Sequence, residues 1–240
     1  MIPKRIHQCY RSSYLFTPAM CTNSRIVKQL HPSWHYLFFN HIAAKAWVQE
    51  EMPQWSNLFE SYPTDRQREQ IFRWLILWKF GGFWVSSHVR LFKPLDPLLN
   101  SDLVILPWAI VSQSDFSKAT LLPFELLGEK VDHLLLSDMV LGARAHHPFV
   151  EIILKAIVER AGFLNSVEPS TEVEELTTGC GVINAAWQIY NRSAGSFATP
   201  PTLLGTPLRL QNFDRYPIYS SDASGLTIGI YGYLHTSPND

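Results

Sequence analysis

Cysteine is scarce in this sequence, and its spacing excludes two common kinds of small scaffold. The chain contains three cysteines, Cys9, Cys21 and Cys180, and no two of them form a C-x-x-C pair. A disulfide framework or a structural zinc site needs more cysteines or closer spacings. A hydrophobic core is therefore expected to stabilise the fold, and a chain of 240 residues is long enough to bury one.

Long apolar runs are also absent. No window of about 18 uninterrupted apolar residues occurs, so we expect no transmembrane span. The first residues, MIPKRIHQCYRSS, contain neither the apolar segment nor the cleavage site of a secretory signal. These absences predict a soluble protein in a reducing, cytoplasmic compartment.

Charged residues make up only 17% of the sequence, and the two signs are unevenly distributed. Residues 1–100 contain 12 lysines and arginines against 6 acidic residues, whereas residues 101–240 contain 8 against 15. A basic N-terminal half favours a polyanionic ligand there, such as a nucleotide phosphate or a nucleic acid. A solvated surface with chance clustering of charge explains the same pattern.

Strand and helix patterns alternate along the chain. Strands are predicted at 4–10, 34–40, 83–85, 89–92, 102–108 and 137–144, and within 208–213, 216–220 and 226–235. Helices are predicted at 22–33, 41–51, 64–82, 147–162 and 177–190. This alternation predicts an α/β fold with a mainly parallel central sheet flanked by helices. Without repeats or a linker, residues 1–240 are predicted to form a single domain.

The clearest predicted element is the helix over 64–82. A Thr-Asp pair is placed to cap its start, and a Gly-Gly pair is placed to end it. Its apolar residues recur at helical spacing, at Ile71, Trp74, Leu75 and Trp78. Arg66, Gln70 and Arg73 are four and three residues apart, so they are expected to share one flank of the helix.

Four blocks of sequence, taken in order, carry a resemblance to a known family. They are IPKRIHQCY, DRQREQIFRWLILWKFGGFWVSSHVRLFKPLDPLL, SDMVLGARAHHPFVEIIL and TTGCGVINAAW. Together they resemble glycosyltransferase family 32, whose members carry a DxD motif on a GT-A fold. The resemblance covers most of the chain and is strongest over residues 65–99. It implies a GT-A-like fold and a sugar-nucleotide donor bound with Mn²⁺ or Mg²⁺.

The residues at the motif positions depart from the family pattern. The two aspartates of the DxD motif fall on Ser86 and His88, and an aspartate on the preceding helix falls on Gln70. The arginine that follows it in the family is present as Arg73. Hard divalent cations prefer anionic oxygen ligands. Losing two carboxylates is expected to weaken metal binding by several powers of ten, since each charged contact contributes about 1.5–3 kcal/mol. We therefore expect no metal site.

Further positions are candidates for substrate binding, as Gln70 is. By resemblance, Tyr10 packs on the nucleotide base and His235 is a further group near the metal. Gln8 and Asn40 lie in or at the end of the first two predicted strands. Gly179 opens a predicted helix whose N-terminal amides suit an anion.

Four residues are candidate catalytic groups. Arg73 suits bidentate contact with a phosphate or a carboxyl group, although an ion pair with Glu69 or another acid is the alternative. His88 is a candidate general base or residual ligand, and Ser86 a nucleophile or hydrogen-bond donor. A structural role for either is equally compatible with the sequence. Asp138, before the helix predicted at 147–162, is a candidate base facing an acceptor.

The favoured functional prediction is a tRNA-dependent cyclodipeptide synthase of the arginine-containing fungal type. Such enzymes are similar to glycosyltransferases of this group but join aminoacyl groups from charged tRNAs. Aminolysis of an ester requires proton transfer and oxyanion stabilisation without a sugar-phosphate metal. The basic N-terminal half suits an aminoacyl-tRNA, because phosphate contacts dominate its binding.

Two alternatives remain open. The first is a glycosyltransferase that uses a UDP- or GDP-sugar and an acceptor, with an atypical metal site holding Mn²⁺ or Mg²⁺ or with basic groups in place of the ion. The second is a catalytically silent pseudo-glycosyltransferase, which loss of the metal ligands also predicts. The sequence identifies neither the transferred group nor the oligomeric state.

Overall fold

The computed structural model describes residues 1–10, 16–120, 132–162, 171–193, 202–203, 208–209 and 228–230. The strands are β1 Arg5–Cys9, β2 His35–Phe39, β3 Gly82–Val85, β4 Val89–Leu91, β5 Leu103–Ser112, β6 Asp132–Ala143, β7 Thr202–Leu203, β8 Leu208–Arg209 and β9 Ile228–Ile230. The α-helices are α1 Pro18–Leu30, α2 His41–Glu51, α3 Ser56–Ser61, α4 Asp65–Phe80, α5 Gln113–Thr120, α6 Pro148–Arg160, α7 Thr171–Thr177 and α8 Cys180–Ser193. The strand predicted within 216–220 lies outside the described residues.

One mixed sheet forms the centre of the described part of the chain. Its order is β2-β1-β3-β6-β5-β7, and β8 pairs with another part of β5. β1 is parallel to β2 and β3, and β5 is parallel to β7 and β8, whereas β6 is antiparallel to both β3 and β5. The predicted α/β class with a helix-flanked sheet is confirmed, and the antiparallel β6 is an addition to the predicted pattern. The single domain over 1–240 stays a prediction.

Alternating side chains of the sheet enter two apolar layers. Trp84 of β3 packs in the layer that contains residues of α2, α4, α6 and α8. Its neighbours Phe83 and Val85 pack on the opposite face, with Val27 of α1 and Trp34. β3 is therefore buried on both faces up to its last residue, Val85, and burial alternates over the following residues 86–90.

β5 and β6 extend beyond their predicted limits. β5 continues to Ser112, α5 follows it at Gln113–Thr120, and β6 begins at Asp132. The described residues of 109–120 and 132–136 therefore belong to helix or strand, although the sequence predicts no element there. The pairing of β5 with β6 shifts register between Ile105 and Leu106 and again beyond Pro107. Such irregularities interrupt the two-residue periodicity that marks a strand in sequence.

Buried amide contacts hold α8 against β6 near this irregularity. The Asn184 side-chain oxygen accepts a hydrogen bond from the Leu136 backbone N–H at 2.7 Å. Its amide nitrogen donates to the carbonyl oxygens of Leu136 at 3.3 Å and Cys180 at 2.8 Å. The first turn of α8 is therefore fixed beside the middle of β6.

Both ends of α4 follow the predicted signals. The Thr64 hydroxyl accepts a hydrogen bond from the Gln67 N–H at 3.2 Å. Gly81 ends the helix with φ 62° and ψ −164°, a backbone region that only glycine adopts readily. α1 begins earlier than predicted, at Pro18, because Thr17 caps it by accepting from the Met20 N–H at 3.3 Å.

Replacing Gly81 by alanine is expected to destabilise the fold by about 1–3 kcal/mol, the cost of a residue with a side chain in this backbone region. An added Cβ would also lie 2.6 Å from the Ala145 backbone nitrogen and 2.8 Å from the Ala143 carbonyl oxygen. Urea unfolding measures the change. Gly162→Ala is the control, because its Cβ would meet no atom within 4 Å. Equal unfolding free energies for the two variants would contradict the prediction.

Candidate active site

A short turn follows β3 at the position predicted for the motif. The Ser86 backbone N–H donates to the Met139 carbonyl at 2.8 Å, and the Val89 N–H donates to the Ser86 carbonyl at 2.9 Å. The Ser86 Oγ lies 3.3 Å from His88 Nδ1 and also accepts from the His88 backbone N–H at 3.3 Å. Both side chains are half-buried, so the turn presents a hydroxyl and an imidazole together.

Buried amide side chains hold this turn in place by hydrogen bonds to its backbone carbonyls. The Gln8 amide donates to the Val85 carbonyl at 2.8 Å, while its oxygen accepts from the Tyr36 hydroxyl at 2.6 Å. The Asn23 amide donates to the Ser87 carbonyl at 3.1 Å. Gln8 is fully buried, and both ends of its amide are occupied by protein groups. The structure therefore gives this predicted substrate-binding residue a supporting role.

Arg73 and Asp138 form a buried ion pair across α4 and β6. Arg73 Nη1 lies 2.6 Å from Asp138 Oδ2 and donates to the Asp138 carbonyl at 2.9 Å. The Arg73 guanidinium also lies 5.1 Å from the centre of the Trp84 ring. The Arg73 side chain is only 7% exposed. Of the two sequence interpretations, an ion pair with an acid is what the structure shows, and the acid is Asp138.

This ion pair sets the protonation of both residues. Burial opposes the charge on Asp138, but the charge and hydrogen bond of Arg73, together with the charge of Arg66, hold the pKa of the carboxyl below its ordinary value. Burial likewise opposes the charge on Arg73, and Asp138 nevertheless raises the pKa of the guanidinium. The pair is therefore ionised at neutral pH.

Gln70 and Gly179, two predicted substrate-binding residues, lie close together at the start of α8. The Thr178 hydroxyl donates to the Gln70 side-chain oxygen at 2.6 Å. A Cβ added at Gly179 would lie 2.8 Å from the Gln70 amide nitrogen. The same Cβ would lie 2.9 Å from the Cα atom of Glu175 on α7. The absence of a side chain at Gly179 therefore allows α4 and α7 to lie close together here.

Two acidic residues of α7 complete a cluster with Arg66, Gln70, Arg73 and Asp138, and the sequence analysis named neither Glu174 nor Glu175. The Glu175 carboxylate accepts hydrogen bonds from the Arg66 guanidinium and from the Cys180 backbone N–H, the latter at 2.9 Å. The Glu174 carboxylate lies 3.8 Å from Arg66 Nε. The shared flank of Arg66, Gln70 and Arg73 was visible in the sequence. Glu175 gave no such signal, because 109 residues separate it from Arg66.

The charges of the cluster act on two titratable groups. Burial, and then the negative charge of Asp138, raise the pKa of Glu175, while Arg66 acts in the opposite direction. Burial, and then the positive charge of Arg66, lower the pKa of His88 below its ordinary value of 6.5. His88 is therefore neutral at pH 7 and able to accept a proton.

A cavity lies at the carboxyl end of β1 beside this cluster. Tyr10, Cys9 and Glu69 contribute to its lining. A neighbouring cavity of about 180 Å³ contains Lys45 and Glu60. The two cavities share His41, Phe59, Asp65 and Arg68.

Tyr10 connects the cavity to the turn. Its ring centre lies 6.1 Å from that of His88 and 5.3 Å from that of Phe16. Asn40 lies next in sequence to His41 and caps α2, because its side-chain oxygen accepts from the Ala43 N–H at 2.8 Å. The cavity and the turn are thus two parts of one edge of the sheet.

The described residues do not fit a hard divalent cation at the motif positions, where Ser86 and His88 supply a hydroxyl and an imidazole. No group of three or more histidine, cysteine, aspartate or glutamate side chains in the described ranges is arranged to hold a metal ion. His235 lies outside these ranges. None of the described helices combines the length and apolar character needed to span a bilayer.

Comparison with characterised proteins identifies relatives of one enzymatic kind. No family model matches the chain. Inositol phosphoceramide mannosyltransferase 2 of Schizosaccharomyces pombe is 22% identical over 192 residues, which cover 80% of this chain and 48% of the relative. Mannosyl phosphorylinositol ceramide synthase SUR1 of Saccharomyces cerevisiae is 27% identical over 158 residues, 65% of this chain and 35% of the relative. The chain thus spans less than half the length of these relatives.

Solved structures give weaker overall similarities. PaToxG glycosyltransferase superposes with a TM-score of 0.49 at 12% identity, over 81% of this chain and 70% of that one. The galactosyltransferase LgtC, in complex with donor and acceptor sugar analogues, gives a TM-score of 0.41 at 12% identity, over 84% and 73%. The two curated relatives give no support to the predicted cyclodipeptide synthase or its aminoacyl-tRNA partner.

Proposed function

We propose that this chain is a sugar-nucleotide-dependent glycosyltransferase that transfers a mannosyl group without a carboxylate-bound metal ion. The observation that carries the proposal is the similarity to inositol phosphoceramide mannosyltransferase 2 over 192 residues. Whichever end it begins from, a match covering 80% of a 240-residue chain must include α4, the Ser86–His88 turn, β6 and α7. The alignment therefore spans the positions of Arg66, Arg73, Asp138 and Glu175.

We place the parts of such a donor along the edge of the sheet between Tyr10 and the turn. The nucleotide base is proposed to pack on the Tyr10 ring at the end of β1, with the diphosphate and sugar extending toward Ser86 and His88. Neutral His88 is suited to take the proton from an acceptor hydroxyl as the new glycosidic bond forms and the bond between the sugar and the diphosphate breaks, which releases the nucleoside diphosphate. Asp138, ionised by its pairing with Arg73, is suited to accept hydrogen bonds from sugar hydroxyls. The relatives' names suggest an inositol-containing lipid as acceptor.

Titration calorimetry with GDP-mannose tests the proposal, with UDP-glucose as the alternative donor and each titration repeated in Mn²⁺ and in EDTA. We expect GDP-mannose to bind in both conditions, because the turn lacks the carboxylates through which the ion would act. Transfer of radiolabelled mannose to inositol phosphoceramide then tests the reaction. Binding that requires Mn²⁺ would contradict the metal-independent part of the proposal.

Tyr10→Ala is expected to weaken GDP-mannose binding by about 5- to 150-fold, the range that corresponds to stacking energies of about 1–3 kcal/mol per base. Tyr10→Phe retains the ring and is the matched control, expected to bind within about twofold of the unsubstituted protein. Failure of the unsubstituted chain to bind either nucleotide sugar would favour the catalytically silent alternative. Equal binding by both variants would remove Tyr10 from the site.

A further inference from the structure

The negatively charged diphosphate of the proposed donor needs a positive charge nearby. The described residues at the motif positions do not offer the carboxylate ligands through which a metal ion would supply it. A sugar nucleotide carries a diphosphate, and more negative charge develops on its leaving group during transfer. At the motif positions, Ser86 and His88 are neutral at pH 7. Some cation of the chain must therefore face the diphosphate if the transfer proceeds without a metal ion.

The cluster contains two arginines, Arg66 and Arg73, and only Arg66 is available to contact a diphosphate. Arg73 is buried and contacts both the carboxylate and the backbone carbonyl of Asp138. Turning Arg73 toward a ligand would leave the Asp138 carboxylate buried without its counter-ion, which is strongly unfavourable. The Arg66 side chain is 51% exposed and lies on the same flank of α4. Its charge reaches the turn, since it lowers the pKa of His88 after the larger effect of burial.

Arg66 is paired with two carboxylates of α7, those of Glu174 and Glu175. Glu175 accepts a hydrogen bond from the Arg66 guanidinium, and its other oxygen accepts from the Cys180 N–H at 2.9 Å. A carboxylate that bridges an arginine and a helix-terminal amide occupies the position that a phosphate group would take. Burial and the nearby Asp138 carboxylate both disfavour the charge on Glu175 and raise its pKa, while Arg66 opposes them.

We propose that Arg66 binds the donor's diphosphate and that Glu175 is the internal anion which the diphosphate displaces. This inference rests on the proposed function, because a nucleotide diphosphate is its ligand. Arg66 then supplies the positive charge that a metal ion supplies in other sites. Glu175 keeps that charge paired while the site is empty, and it competes with the donor for the same guanidinium.

Paired neutral substitutions test the exchange. Arg66→Gln is expected to weaken GDP-mannose binding by about 10- to 150-fold, which corresponds to a charged hydrogen bond of about 1.5–3 kcal/mol. Glu175→Gln keeps an oxygen for the Cys180 N–H but removes the competing charge. It is expected to tighten binding about fivefold, the factor that corresponds to a screened ion pair of about 1 kcal/mol. Guanosine, which has no phosphates, should bind Arg66→Gln, Glu175→Gln and the unsubstituted protein with equal affinity.

Controls separate this inference from the proposed function. Lys155→Gln removes an exposed charge on α6 that pairs with Glu151 at 2.8 Å, and it should leave GDP-mannose binding unchanged. Thermal unfolding verifies that each variant is folded. If the unsubstituted chain binds GDP-mannose and neither Arg66→Gln nor Glu175→Gln changes the affinity, the exchange is wrong and the proposed function stands. If the unsubstituted chain and Glu175→Gln both fail to bind, both proposals are overturned.

Discussion

Replacing Arg73 by methionine is expected to lower the free energy of unfolding by about 3–5 kcal/mol, because it leaves the buried Asp138 carboxylate without its partner. For a chain of this size, the same loss corresponds to a decrease of about 6–20 °C in the melting temperature. Both side chains are largely shielded from solvent, at 7% and 16% exposure, so screening by water reduces the effect little. Urea unfolding at neutral pH measures it.

The pH dependence of this loss has a defined sign. In the unsubstituted protein, Arg73 holds the pKa of Asp138 below its ordinary value despite burial, so the pair stabilises the fold above about pH 4 and loses that effect as pH falls through the lowered pKa. In Arg73→Met, burial without a partner raises the pKa of Asp138 instead. The variant's deficit should therefore shrink as pH falls from this raised pKa toward the ordinary value of about 4.

Two further variants make the result interpretable. Arg68→Met lies on the same helix but removes only the partly exposed pair with Asp65, at 2.9 Å, and should cost less than about 1 kcal/mol. The double variant Arg73→Met with Asp138→Leu should recover more than half of the loss, because no buried charge remains. Equal losses for Arg68→Met and Arg73→Met would show that the Arg73–Asp138 pair contributes no special stability.

The helical half of this site was predictable from local spacing. Intervals of four and three residues place Arg66, Gln70 and Arg73 on one flank of α4, and the structure confirms that all three face the same cluster. The partners of these residues were not predictable. Asp138 and Glu175 come from 65 and 109 residues away, and no local pattern encodes which distant carboxylate a given arginine will meet.

Similar limits apply to the strands. β3 was predictable because an apolar run between a glycine pair and a polar triplet indicates a buried strand. The length of β5 was hidden by its irregular pairing around Pro107. Gln8 illustrates a third limit. A polar residue in a strand suggests a ligand contact, whereas here the carbonyl of Val85 and the hydroxyl of Tyr36 satisfy its amide inside the protein.

Introducing aspartates at both motif positions is expected to create a metal site. The Ser86 hydroxyl and the His88 ring lie 3.3 Å apart, so carboxylates at these positions would converge on one point. Each would add a charged contact of about 1.5–3 kcal/mol to a hard cation. The Ser86→Asp and His88→Asp double variant should therefore bind Mn²⁺ more tightly by about two to four powers of ten, as measured by electron paramagnetic resonance of the free ion.

The matched control is the double variant Ser86→Asn with His88→Asn, which has nearly the same shape without the charges and should gain no Mn²⁺ affinity. A decisive result comes from combining the two aspartates with Arg66→Gln. If Arg66 stands in for the metal ion, Mn²⁺ should restore GDP-mannose binding that Arg66→Gln alone has lost. If Mn²⁺ restores binding with the two aspartates but not with the two asparagines, Arg66 and the introduced metal ion act on the same diphosphate. If the aspartates bind Mn²⁺ without restoring the donor, the turn and Arg66 serve different parts of the ligand.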